Sequence, residues 1–246
     1  MNAFERHGIR NLSPSAINLW RANPALYVGK YLLKWRDDAW LNAWWGDAVE
    51  AGLASWLYKR DNALALDAAR RQWEARAMGE VSEEIDAKWA EVGPALDMAK
   101  TLFVDHAPPT SFQAWVECWL DGIPVPIRGK TDFQWPDAVD DTKVTSKLPA
   151  EPKPDHIGQL AIYAKATGKP VFVSYITTKR AARYAITPEM VADGIAAMAE
   201  TAKTLMQFLG RVRDGHDAIT LLPTNPDDYR WNDTLRERMN AERMAA

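Results

Sequence analysis

Cysteine is almost absent from this 246-residue chain, which carries only Cys118. One thiol can form neither an intrachain disulfide framework nor a cysteine-based zinc knuckle, and it cannot hold a four-cysteine iron–sulfur cluster. Histidine is nearly as scarce, and His7, His106, His156 and His216 stand apart without ligand spacing. No apolar run approaches the roughly 20 residues needed to span a bilayer. The opening MNAFERHGIRNLSPS also lacks the apolar stretch of a secretory signal. A cytoplasmic protein with no membrane partner is expected. Excess positive charge is missing too: the formal net charge of -3 argues against a protein that coats nucleic acid through charge alone. It leaves room for an enzyme in which a metal-binding acidic cluster sits beside a local basic patch.

What is present suffices for a substantial core, with 47% hydrophobic and 26% charged residues. A single domain over 1–246 is expected, mainly helical over 1–106, with a sheet core over 111–186 and C-terminal helices over 188–246. Among the twelve tryptophans, Trp40, Trp44, Trp73 and Trp89 are spaced like core residues on helices rather than base-stacking platforms. Ser13-Pro14-Ser15 predicts a helix start toward Ala22, and Asn23-Pro24 interrupts it before a second short helix toward Leu33. Apolar spacing of three and four predicts longer helices over 39–60, 62–78 and 82–105.

The period changes after Pro108-Pro109. In Ser111–Leu120, Phe112, Ala114, Val116, Cys118 and Leu120 alternate with Gln113, Trp115, Glu117 and Trp119, the pattern of a strand. Asp121-Gly122 is a turn signal into a second strand over 123–134. A third strand follows over 139–145, then a helix over 155–167, a strand pair over 170–186, a long helix over 188–213 and a polar helix near 233–244. The fold class is α/β, a central mixed sheet flanked by helices and preceded by a helical segment.

The chemistry concentrates in Arg128–Lys147, RGKTDFQWPDAVDDTKVTSK. With a turn centred between Pro136 and Asp137, Asp132 stands directly opposite Asp141. Like charges so placed destabilise a sheet unless something neutralises them, and a divalent cation would. Lys143, two residues on, shares their face, whereas Asp140 points the other way. Two Asp carboxylates with waters and a backbone carbonyl such as that of Thr142 suit Mg²⁺ or Mn²⁺. Such an ion acidifies a bound water and stabilises charge on a phosphate, and a neighbouring ammonium orients the water or sheds a proton. Phosphodiester hydrolysis is the chemistry this supports. Alone, an Asp-x-Lys on a strand is commonly a solvent-facing ion pair. Its context here is Asp132, Gly129 and a downstream helix carrying Gln159 and Tyr163.

In order along residues 12–186, LSPSAINLW, GDAVEAGL at Gly46–Leu53, GKTDF at Gly129–Phe133, VDDTK at Val139–Lys143 and QLAIYA at Gln159–Ala164 resemble the RecB-like branch of the PD-(D/E)xK nuclease superfamily. That branch includes lambda-type phage recombination exonucleases. The resemblance implies a restriction-endonuclease-like core. It also implies that Asp132 and Asp141 are metal ligands, that Lys143 is the catalytic lysine, and that Gln159 and Tyr163 support the site and contact DNA. Many relatives carry a histidine ligand at the fourth position after the helix glycine. Here Gly46 is followed at that spacing by Glu50, which is assigned to the metal, the alternative being a surface glutamate. Asn23 stands where cluster-bearing relatives have a Cys-Pro, so no iron–sulfur cluster is expected.

Candidate DNA contacts are Ser13 and Ser15 at a helix N-terminus, with Arg21, Lys147, Lys153, Lys179 and Arg180. Glu117 either assists the metal or is solvated, and His156 is either a phosphate or base contact or a polar loop residue. The function implied is a Mg²⁺- or Mn²⁺-dependent DNA exonuclease resecting ends in phage or prophage recombination. Its partners would be DNA and a single-strand annealing or single-strand-binding protein, with the oligomeric state open. The alternatives are an endonuclease or defence nuclease on the same fold, and a DNA-binding module with an inactive site.

Overall fold

The computed structural model describes residues 1–35, 41–223 and 231–245. It divides into two compact units, one of Met1–Asp38, Glu117–Gly129 and Ala192–Ala246, the other of Ala39–Val116 and Lys130–Val191.

In the first unit, short polar caps set the early helices. Asn2 makes a capping box with Glu5 at α1 (Ala3–Arg6). The Ser13 hydroxyl accepts the Ala16 N–H at the start of α2 (Pro14–Ala22). Asn23 does the same for Leu26 at α3 (Pro24–Tyr31), after interrupting α2 as its Asn-Pro sequence predicts. Phe4, Ile17, Tyr27, Val28, Leu205 and Leu209 are fully buried, and the Trp20 ring packs against Tyr27 and Phe208.

The second unit opens with α4 (Leu41–Lys59), α5 (Asn62–Ala77), α6 (Glu83–Trp89) and α7 (Val92–Thr101). Helix α4 lies so close to its neighbours that a Cβ on Gly52 would meet Leu96 Cδ2 at 2.9 Å and the Ala65 carbonyl oxygen at 3.0 Å. One core joins Trp44, Val49, Leu53 and Leu57 of α4 to Trp73, Leu96 and Phe103, and on to Phe133, Trp135 and Ile176 of the sheet. Trp44 and Trp73 are core residues as their spacing predicts, with Trp89 packed at the margin. Trp40 and the predicted helix start at residue 39 lie outside the described residues.

The sheet comprises β1 (Ser111–Cys118), β2 (Ile127–Gln134), β3 (Val139–Val144), β4 (Val171–Ile176) and β5 (Ala181–Ala185), in that spatial order. β2 and β3 are antiparallel, β3 and β4 parallel, and β4 and β5 antiparallel. The parallel step is made by α8 (Pro154–Thr167), which closes on Gly168 at φ +68°. After β5 come α9 (Pro188–Leu209), α10 (Gly215–Thr220) and α11 (Asp233–Ala245). This is the expected mixed sheet flanked by helices, with a helical N-terminal part.

Several boundaries differ from the sequence reading. The helix expected over 82–105 is two, because breaking at Ala90-Glu91 lets Pro94 fall in the first turn of α7, where its missing N–H costs nothing. The second strand begins at Ile127 rather than 123, since Pro124 and Pro126 have no N–H to donate. Helix α9 stops at Leu209, and α1 and α10 are too short to show a period.

On one side of β3, Asp140 has no exposed surface and meets Arg183 of β5, with Nε 2.6 Å from Oδ2. Burial raises the Asp140 carboxyl to about 6 even though Arg183 pulls the other way. The guanidinium also lies over the Phe172 ring at 3.6 Å. Breaking a buried pair from one side costs about 3–5 kcal/mol, because a charge is left uncompensated. Arg183→Met is therefore expected to lose about that much stability in urea unfolding near neutral pH. Asp140→Asn/Arg183→Met should lose clearly less, and equal losses would show that no such pairing operates.

Candidate active site

Strands β2 and β3 pair Phe133 with Asp140 and Gln134 with Val139. Continued one rung, this register sets Asp132 opposite Asp141, as the sequence predicts. The regular ladder ends before that rung. There the Asp132 carboxylate takes over as acceptor, its Oδ2 receiving the Thr142 N–H at 2.7 Å and the Thr142 hydroxyl at 3.0 Å.

Asp141 is 1% exposed and is held from two sides. Gln159 Nε2 donates to its Oδ1 at 3.0 Å, and Lys143 Nζ lies 2.5 Å from its Oδ2. Gln159 Nε2 also reaches the Tyr163 hydroxyl at 2.8 Å, which in turn donates to the Lys130 carbonyl at 2.6 Å. Residues four apart share a helix face, so one face of α8 ties the back of the site to both β2 and β3.

Glu50 reaches the same place from α4. Its Oε1 accepts Gln113 Nε2 at 2.9 Å, and Gln113 Oε1 accepts Lys130 Nζ at 3.2 Å. Sequence reading missed Gln113, which alternation assigns to the solvent face of β1. Its backbone is left-handed at φ +50°, unusual for a residue other than glycine. No sequence signal marks it.

The carboxylates disturb one another. Burial raises Asp132 well above its ordinary range, with Asp141 and Glu50 adding to it and Lys143 opposing. Burial likewise raises Glu50, against the Gln113 hydrogen bond. For Lys143 burial favours the neutral amine, but Asp141 and Asp132 outweigh it and hold the ammonium above its ordinary value.

The remaining candidates make contacts of their own. Lys147 is exposed beyond the end of β3, and Lys179 and Arg180 are exposed in the turn after β4. Lys153 directs its backbone N–H to the Tyr175 hydroxyl at 2.9 Å. His156 Nδ1 meets the same hydroxyl at 2.7 Å, and burial, with Lys143 and Lys153, lowers it to about 4. Ser13, Ser15 and Arg21 belong to the first unit, where the two serine hydroxyls lie 3.0 Å apart and Arg21 donates to Asn18. Glu117, also in the first unit, is exposed and lies 3.4 Å from Arg128, as a solvated residue would.

The sequence profile of the PD-(D/E)XK nuclease superfamily matches residues 11–246. The chain belongs to that superfamily. On the resemblance carried by the sequence, Asp132 and the Asp141-Thr142-Lys143 triplet would fill the lettered positions. Thr131 stands where the superfamily's name has proline, and its buried hydroxyl donates to the Ala114 carbonyl at 3.3 Å. The crystal structure of a candidate exonuclease from Eubacterium rectale superposes with a TM-score of 0.66, covering 93% of this chain and 88% of that one at 14% identity. At that identity the likeness concerns the fold. The crystal structure of SSO0001 covers 70% of this chain and 77% of its own at 17% identity, with a TM-score of 0.35, too low to bear on the fold. No curated protein matches the sequence.

Members of this superfamily generally use divalent metals, and the donor set here fits one. Asp141 Oδ2 is buried without an aligned hydrogen-bond donor, despite the nearby ammonium. Both hydrogen bonds to Asp132 fall on Oδ2, which leaves Oδ1 to a cation. Among the described residues no three acidic, imidazole or thiol groups converge into a ready cage, and Gln113 draws Glu50 to itself. The geometry carries its own test. In metal-free buffer near neutral pH, Asp132→Asn should raise stability by about 1 kcal/mol in urea unfolding, because it removes one of two facing charges while keeping an acceptor for Thr142. A loss of stability would show that the carboxylates do not repel as described.

Proposed function

We propose that this chain is a Mg²⁺- or Mn²⁺-dependent deoxyribonuclease that degrades DNA from its ends. The observation carrying the reading is the convergence of Asp132, Asp141 and Lys143 at the end of the β2–β3 ladder, with each carboxylate retaining an oxygen for a cation. Asp132 and Asp141, with the Thr142 carbonyl and Glu50, would hold the ion. Hard oxygen donors suit both metals, and when bound either supplies a more acidic water and stabilises charge on the phosphate. Lys143 donates to the attacking water or to a phosphate oxygen, while Gln159 keeps Asp141 from rotating and Tyr163 anchors Gln159 to β2. One turn of α4 before Glu50, a Cβ on Gly46 would meet no atom within 4 Å. Packing therefore does not require that glycine, and its bare backbone suits close approach by a DNA strand. Attack from ends, and a setting of phage or prophage recombination beside a single-strand annealing or single-strand-binding protein, follow from the resemblance to end-resecting nucleases.

Digestion of end-labelled linear DNA and of covalently closed circles with Mg²⁺ or Mn²⁺ tests this directly. Linear DNA should be degraded progressively to mononucleotides or short oligonucleotides while circles stay intact. Asp132→Asn, Asp141→Asn and Lys143→Ala should each slow cleavage by about a hundredfold or more, the scale of losing a metal ligand or acid–base group. Rapid opening of circles would make the protein an endonuclease with the same chemistry, and near-normal cleavage by any of the three variants would remove the catalytic assignment.

A further inference from the structure

Most tryptophans of the second unit belong to its core or pack against it, but Trp115 is 65% exposed on the edge strand β1. A large apolar ring held in water on a sheet edge gives up its burial and invites unwanted contacts. What surrounds it is specific. Lys130 Nζ, on the neighbouring strand, lies 5.5 Å from the centre of the indole and 3.2 Å from Gln113 Oε1. The Gln113 amide in turn holds Glu50, itself close enough for its charge to act on Asp132. Consecutive contacts thus run from an exposed aromatic face, through a cation, to the carboxylate side of the candidate active site, all within one unit. A cation–aromatic pair at an exposed position is too weak to account for leaving the indole in water.

We propose that Trp115 and Lys130 form a subsite for an unpaired nucleotide of the DNA strand, the base stacking on the indole and the phosphate pairing with the ammonium. This rests on the nuclease reading above and adds the kind of DNA that the site prefers. A base face can meet an indole only when it has left the duplex stack, so the subsite selects single strands, overhangs or frayed ends over blunt duplex. The ammonium supplies the complementary charge that an apolar peptide would not need. Gln113 connects the subsite to the cleavage centre, since it bonds Lys130 on one side and Glu50 on the other.

The test is binding of fluorescent oligonucleotides, followed by anisotropy with Ca²⁺ in place of Mg²⁺, to the full-length protein. Trp115→Ala should weaken single-strand binding about tenfold, within the range for losing one stacked base, and blunt-duplex binding less than about twofold. Trp115→Phe should recover most of the loss. Lys130→Ala should flatten the salt dependence by about one phosphate contact. On saturating DNA, Trp115→Ala should keep its kcat and raise KM. Unchanged single-strand binding in Trp115→Ala overturns the subsite, as does an equal loss for single strands and blunt duplex at an unchanged urea midpoint. The two readings fail separately. A wild-type protein that binds single strands through Trp115 and cleaves no DNA keeps the subsite and loses the nuclease, whereas cleavage indifferent to Trp115 does the reverse.

Discussion

Two carboxylates from adjacent strands face each other where the β2–β3 ladder gives way, in surroundings that penalise charge. In water such a pair would cost little, but here burial raises Asp132 and Asp141 raises it further. Much of the second unit answers that conflict. Thr142 offers two donors to Asp132, Gln159 and Lys143 approach Asp141 from opposite oxygens, and Gln113 holds Glu50. Helix α8 is both the crossover that makes β4 parallel to β3 and the carrier of Gln159, so topology and site share one element.

Strand β3 carries unlike chemistry on its two sides. Asp141 and Lys143 face the site, while Asp140 turns to Arg183, a pair that sequence reading did not foresee. Arg183 meets only Oδ2 of Asp140, so each Asp of the doublet keeps one buried oxygen without an aligned donor, Oδ1 in Asp140 and Oδ2 in Asp141. A buried ion pair contributes little net stability but is costly to break from one side, so Arg183 helps fix which Asp of the doublet faces which way.

The sheet, the hairpin register and the Gln159–Tyr163 face were legible in the sequence because they follow local rules: alternation by two, a turn of known centre, residues four apart. Boundaries at Pro94 and Pro124 were missed where a proline shifted an element by a few residues. Glu50 was legible only through its place after Gly46. Gln113 and Arg183 were not legible at all, because each acts across a large sequence separation and neither stands out in its own strand. Gln113 departs further, since a left-handed residue inside a strand breaks the alternation from which its direction would be read. The exposed Trp115 was hidden by its own chemistry, tryptophan being a core residue by default.

The turn between β2 and β3 is only Trp135–Ala138, and the Trp135 N–H bonds the Ala138 carbonyl at 2.8 Å across it. A strand slipped by one residue exchanges its two faces. An insertion of one residue in that turn would offer Asp140 and Thr142 to Asp132 and send Asp141 and Lys143 toward Arg183, with every side chain of the site still present in the sequence. A descendant of this protein could thus lose its chemistry through length alone. A motif search that counts letters without counting the residues between them would go on reading it as intact.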